Sequence, residues 1–110
     1  MRPAELERYL SELARVVRPG GCTHISYYVL NAEAQRYAAQ GHAAFDFRFD
    51  FGDHRSISEE TPEYSIAYEE RVLRDLYAKH GLVIERVDYG SWSGRPDART
   101  FQDIVIARPA

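Results

Sequence analysis

A chain of 110 residues has room for one hydrophobic core, and 45% hydrophobic with 28% charged residues is ordinary globular composition, which excludes disorder and fibrous repeats. Fourteen Lys and Arg against seventeen Asp and Glu give a net charge of −3 with no basic block, so neither a nucleic-acid footprint nor polybasic membrane attachment is expected. Apolar runs fall far short of the ~20 residues that span a bilayer, and Met1 is followed by a charged helical pattern rather than a signal peptide, so a cytoplasmic address is expected. The single cysteine, Cys22, excludes an internal disulfide and a thiolate-rich metal site.

The first predicted element is an amphipathic helix over Pro3 to Arg18, where Leu6, Leu10, Leu13 and Val17 recur at steps of four, three and four. Pro3 suits the first turn, Glu5 and Glu7 lie near the positive end of the helix dipole, and Arg15 and Arg18 complement the other end. Pro19-Gly20-Gly21 then stops the helix and turns the chain. Thr23 to Leu30 reads as a strand, with Ile25, Tyr27 and Val29 on one face and His24, Ser26, Tyr28 and Leu30 on the other. Good helix formers from Asn31 to Gln40, closed by Gly41, predict a short helix with a thin apolar face.

Ala44 to Phe51 alternates strictly, with Phe45, Phe47, Phe49 and Phe51 facing one way, which predicts a half-buried strand. Gly52-Asp53 is a turn, after which Arg55 to Ser58 or Tyr64 to Tyr68 returns as a partner strand. Glu69 to His80 is a second long helix, acidic at its start and basic at its end. Strands follow over Leu82 to Tyr89 and Thr100 to Arg108, the second carrying the run Ile104-Val105-Ile106-Ala107 of a central strand, and Gly90 to Asp97 is the loop between them.

Several motifs fail on inspection. His24, His42, His54 and His80 lie in separate elements without metal-ligand spacing, so no metal site is expected, and turn chemistry accounts for Asp50, Asp53 and His54. Gly90-Ser91-Trp92-Ser93-Gly94 has the outline of a nucleophile elbow, but its central residue is Trp92 rather than serine. The Phe stripe is how a strand packs a core.

The run Leu13-Ala14-Arg15-Val16-Val17-Arg18-Pro19-Gly20-Gly21, followed by a Tyr-rich strand, resembles the segment of class I S-adenosylmethionine-dependent methyltransferases that leads through R-V-L-[KR]-P-G-G into their fifth strand. Tyr68-Glu69-Glu70, Leu73-Arg74-Asp75-Leu76-Tyr77 and His80-Gly81-Leu82 resemble that fold's last helix and the start of its sixth strand. Tyr89-Gly90-Ser91-Trp92-Ser93-Gly94-Arg95 and Phe101-Gln102-Asp103-Ile104-Val105-Ile106-Ala107 are similar to the loop and seventh strand of a bacterial subgroup. The resemblance runs in order through nearly the whole chain. It implies an α/β fold: a partial, Rossmann-like sheet with strands in the order five, seven, six, flanking helices, and a Phe-rich hairpin inserted as an excursion from the sheet.

In that family the cofactor site lies on the first four strands, and this chain has no strand leading into a G-x-G-x-G turn and no acidic residue ending a second strand. The resemblance therefore implies a single domain over residues 1–110 that is the C-terminal portion of a methyltransferase. S-adenosylmethionine is the cofactor of intact relatives and is not expected to bind this chain alone. Ligands in such sheets bind beyond the carboxyl ends of parallel strands, which Asn31, Tyr89, Trp92 and Arg95 follow. Those four are the expected substrate surface, with Trp92 as an apolar wall, or merely a plug of the sheet end, and Arg95 as a carboxylate partner.

The expected function is the substrate-side half of a small-molecule methyltransferase, inactive in isolation. The alternative, from a different class, is a non-enzymatic ligand-binding α+β domain with an aromatic pocket, in which Phe45 to Phe51 belongs to a bent antiparallel sheet. With its fourth-strand partner upstream of Met1, the strand Thr23 to Leu30 is expected to expose an apolar edge, which favours a homo-oligomer or pairing with a separate N-terminal half.

Overall fold

The first helix, α1 (Pro3–Val16), buries Leu6 and Leu10 completely and stops two residues before Arg18, because Val17 is already extended. Gly21 donates its N–H to the Arg18 carbonyl at 2.8 Å, with Gly20 at φ +86°, so Pro19 and Gly20 occupy the two central positions of a tight turn. The computed structural model describes residues 2–60, 65–96 and 98–110, so Tyr64 and Asp97 lie outside the described residues.

That turn delivers β1 (Thr23–Leu30), followed by α2 (Ala32–Ala39), β2 (Phe49–Asp50), β3 (His54–Ser56), β4 (Ile66–Glu69), α3 (Glu70–Lys79), β5 (Leu82–Asp88) and β6 (Asp103–Pro109). β6 runs antiparallel to both β1 and β5, with Thr23 opposite Ala107 and Asp88 opposite Ile104. β1 and β5 are therefore parallel with β6 between them, the order expected for these three strands. β6 buries Val105, Ile106 and Ala107, as its apolar run predicts.

The sheet is larger than expected. Six strands hydrogen-bond in the order β2-β3-β4-β1-β6-β5, forming a mixed sheet. The hairpin is thus part of the sheet and not an excursion from it, since β3 pairs antiparallel with both β2 and β4. The strand expected over Ala44 to Phe51 shrinks to Phe49 and Asp50. The Ala44 N–H instead donates to the Trp92 carbonyl, which holds this stretch against the loop after β5 rather than against a strand. Phe47 is buried while Phe51 is exposed, so the alternation does not translate into one buried face.

The outer edge of β1 is also occupied. β4 runs parallel to it, with Tyr28 opposite Ala67, Val29 opposite Tyr68 and Leu30 opposite Glu69. Ile66, Ala67 and Tyr68 are all buried, so β4 satisfies backbone groups and adds core in one step. The free edge expected along the whole of Thr23 to Leu30 is absent over Tyr28 to Leu30.

Each sheet face has its own core. On one, Leu6 and Leu10 of α1 and Leu73 and Tyr77 of α3 pack with Tyr27, Val29 and Val105. On the other, Ala34 of α2, Phe47 and Trp92 pack with Leu30 and Ala67. The two-faced reading of β1 is correct at its carboxyl end, while His24 and Ser26 remain exposed. Among the described residues, no helix is long and apolar enough to cross a membrane.

Candidate functional site

The parallel strands β1 and β4 end at Leu30 and Glu69, and the next residues enter α2 and α3. Asn31 caps α2, its Oδ1 accepting the Ala34 N–H at 2.8 Å. Its Nδ2 donates to Glu70 Oε1 at 3.3 Å, the same oxygen that accepts the Tyr89 hydroxyl. Arg74, one turn further along α3, donates to Glu70 Oε2 at 3.1 Å. Glu70 thus ties the end of β1, the start of α3 and the end of β5 together.

Arg95 closes the cluster from the loop after β5. Its Nη2 donates to Asn31 Oδ1 at 3.2 Å, its Nη1 pairs with Glu33, and its guanidinium carbon lies 4.3 Å from the Tyr89 ring centroid. The Tyr37 ring lies further off, at 5.9 Å. A guanidinium stacked on an aromatic face and paired at its edge is held in one orientation. Asn31, Tyr89 and Arg95, three of the four residues expected at the substrate surface, are therefore in direct contact.

Burial shapes the chemistry of the cluster. It pushes the Tyr89 hydroxyl up to about 12, helped by the Glu70 carboxylate, so Tyr89 stays protonated as a donor. Burial also raises Glu70, but the Tyr89, Asn31 and Arg74 donors outweigh it and leave the carboxyl below its ordinary value. Burial lowers Arg95, against the pull of Asp103.

Trp92, the fourth, is buried in the second core. Its ring is 2% exposed and contacts Tyr28 and Phe47 at centroid distances of 5.5 and 5.3 Å. The indole N–H donates to Asp103 Oδ2 at 2.8 Å. It lines a crevice of about 140 Å3 with Leu30, Phe45, Phe47 and Arg55. The same Asp103 accepts the Val29 and Gly90 N–H groups, each at 2.7 Å. These donors lie just past the last pairs that β1 and β5 make with β6, so one carboxylate finishes both of those ladders beside the site.

The cluster borders a cleft of about 760 Å3 lined by Glu33, Tyr37, Tyr89 and Arg95, together with Arg86, Arg99 and Ile104. Glu33, Tyr37 and Glu70 were not singled out from sequence. Asn31 and Glu70 stand 39 positions apart, and only the parallel β1–β4 pairing brings them together. The available signal was positional: Glu70 opens a helix directly after a strand and precedes Arg74 by four residues.

Among the described residues, no group of three or more His, Cys, Asp or Glu side chains could hold a metal ion. The described residues also hold no glycine-rich strand-to-helix turn. The strand-to-helix junctions are Leu30-Asn31-Ala32 and Glu69-Glu70, without glycine, while the positive-φ glycines at positions 20, 41, 52, 81 and 94 all lie outside such junctions. Glu33 and Glu70 occupy the first helical turns, where a cofactor carboxylate would meet repulsion. Compared with known proteins, no family model matches this chain, and no solved structure matches it.

Proposed function

We propose that this chain is the substrate-side portion of a small-molecule methyltransferase of the S-adenosylmethionine-dependent class I type, with the cofactor cradle supplied by residues or a polypeptide outside it. The observation that carries this reading is the three-strand unit β1-β6-β5, antiparallel β6 lying between two parallel strands, with Asn31, Tyr89 and Arg95 in contact beyond the carboxyl ends of β1 and β5. The ordered resemblance of the chain's segments to the last three strands of that fold supports it further. Association with a second copy, or with a chain carrying the cofactor half, belongs to the same reading.

On this reading the chain's own contribution is orientation. Arg95, fixed by Asn31, Glu33 and Tyr89, forms a rigid part of the cleft lining, and the Glu70–Tyr89 pair sets a neutral hydroxyl beside it. Methyl transfer depends heavily on holding the acceptor in line, so a rigid acceptor surface is the part of the catalyst such a half supplies.

The test is methyl transfer from labelled S-adenosylmethionine to small-molecule acceptors, assayed with the chain alone and with the polypeptide encoded directly upstream of Met1. Transfer only when both are present is the expected result. Turnover by the chain alone, or an upstream region encoding no glycine-rich strand-turn in any frame, would refute the reading.

A further inference from the structure

The cleft beside Arg95 is lined by three arginines, Arg86, Arg95 and Arg99, together with Tyr37, Tyr89 and Ile104. The three cations are not equally engaged. Arg86 pairs with Asp88 at 2.9 Å, and Arg95 is taken up by Glu33 and Asn31. Arg99 makes no ion pair or hydrogen bond among the described residues, although acids line the same cleft. An unengaged guanidinium beside aromatic and aliphatic surface matches a ligand with an anionic end and a flat apolar body.

We propose that this cleft binds a small aromatic carboxylate, with Arg99 taking the carboxylate and Tyr37 and Ile104 contacting the ring. Glu33 is the counterpart that sharpens the assignment. Its half-exposed carboxylate lines the same cleft and is paired with Arg95, whose side chain is only 9% exposed. An incoming carboxylate therefore meets repulsion from Glu33, and neutralising that residue strengthens binding while removing an ion pair from the protein. A ligand held by shape alone shows the opposite or no response.

The ligand's role as a methyl acceptor rests on the function proposed above, but its binding does not and is measured on this chain without cofactor. The probe is 4-hydroxybenzoate, titrated into the labelled chain and followed by amide NMR shifts, with neutral 4-hydroxybenzamide as the control. The expected result is shifts at Tyr37, Tyr89 and Arg99, with the acid bound about tenfold or more tightly than the amide, the ratio a charge-assisted hydrogen bond confers. Arg99→Glu, at an exposed position, should weaken the acid by at least a similar factor, and Glu33→Gln should tighten it several-fold. Absent shifts, equal binding of acid and amide, or indifference to Arg99→Glu would each overturn the proposal. Binding without methylation in the two-polypeptide assay would count against the transferase reading and leave the cleft standing. Transfer to another acceptor with no shift in the cleft would do the reverse.

Discussion

Truncating Asp103 to alanine should cost about 3–5 kcal/mol of stability, because one buried carboxylate satisfies three donors from β1 and the loop after β5. Its Oδ2 accepts from Val29 N–H at 2.7 Å and Trp92 Nε1–H at 2.8 Å, and its Oδ1 from Gly90 N–H at 2.7 Å. Each buried donor left without a partner costs about 1–3 kcal/mol, and three together span about 3–9. Part of that is returned, since burial pushes the Asp103 carboxyl up against the pull of the same donors, so removing it relieves a desolvated charge. The remainder is a large share of the ~5–15 kcal/mol available to a domain of this kind. Asp103→Asn should fall between the variant and the native chain, because one amide oxygen can keep the Val29 and Trp92 bonds while its NH2 faces the Gly90 N–H. Urea unfolding followed by circular dichroism gives the stabilities, and Trp92, the only tryptophan, reports the local effect as a red-shifted emission in the alanine variant. A loss below about 1 kcal/mol for Asp103→Ala, or an asparagine variant no better than alanine, would refute this account of the sheet end.

Gly90→Ala should lower the melting temperature by about 5 °C or more, because the added Cβ meets the Phe101 carbonyl oxygen and lies 2.5 Å from that of Gln102, both immobile backbone atoms; calorimetry checks it. Glu70, held below its ordinary carboxyl value, contributes stability that is fully present above the unfolded value and lost as pH falls through the lower folded one. The stability gap between the native chain and Glu70→Gln should therefore shrink on acidification from about pH 6 to about pH 3, measured by denaturant titration at each pH. Tyr77→Phe removes the buried partner of the Tyr27 hydroxyl, 2.8 Å away, and should cost about 1–2 kcal/mol. Adding Tyr27→Phe should cost less than the two single changes summed, because the second change removes an already orphaned hydroxyl.

Elements specified by local chemistry were legible in the sequence. Thr23 to Leu30 reads as a strand from its β-branched and aromatic run, α2 from its helix formers and Gly41, and α1 from Pro3 and the Pro19-Gly20 turn. The Phe-rich segment was misread because its strict alternation matches a strand, whereas Phe45 and Phe47 pack around Tyr28 and Trp92 while the backbone bonds to the loop after β5. The seat of β4 against β1 was hidden for another reason. A four-residue strand has almost no periodic signature, and its parallel partner lies across a helix and a hairpin in the sequence. At the site, strand-end logic found Asn31, Tyr89 and Arg95, but not Glu70, which enters only through that parallel pair.

The seat of β6 between β1 and β5 also governs the order in which the molecule can assemble. Its contacts are far apart along the chain, as with Val29 and Asp103 at a separation of 74, so the β1–β6 seam closes through the sheet's least local pairings. During synthesis β1 and β5 emerge from the ribosome without the strand that joins them, and the carboxylate that finishes both arrives with β6. The β2-β3-β4 meander and the α3-β5 segment are the parts able to form early, while loop-closure entropy delays the β1–β6 pair. Nascent chains that stall before β6 therefore leave the Thr23 to Tyr27 edge of β1 and the inner edge of β5 unpaired, the state in which this sequence is most exposed to aggregation.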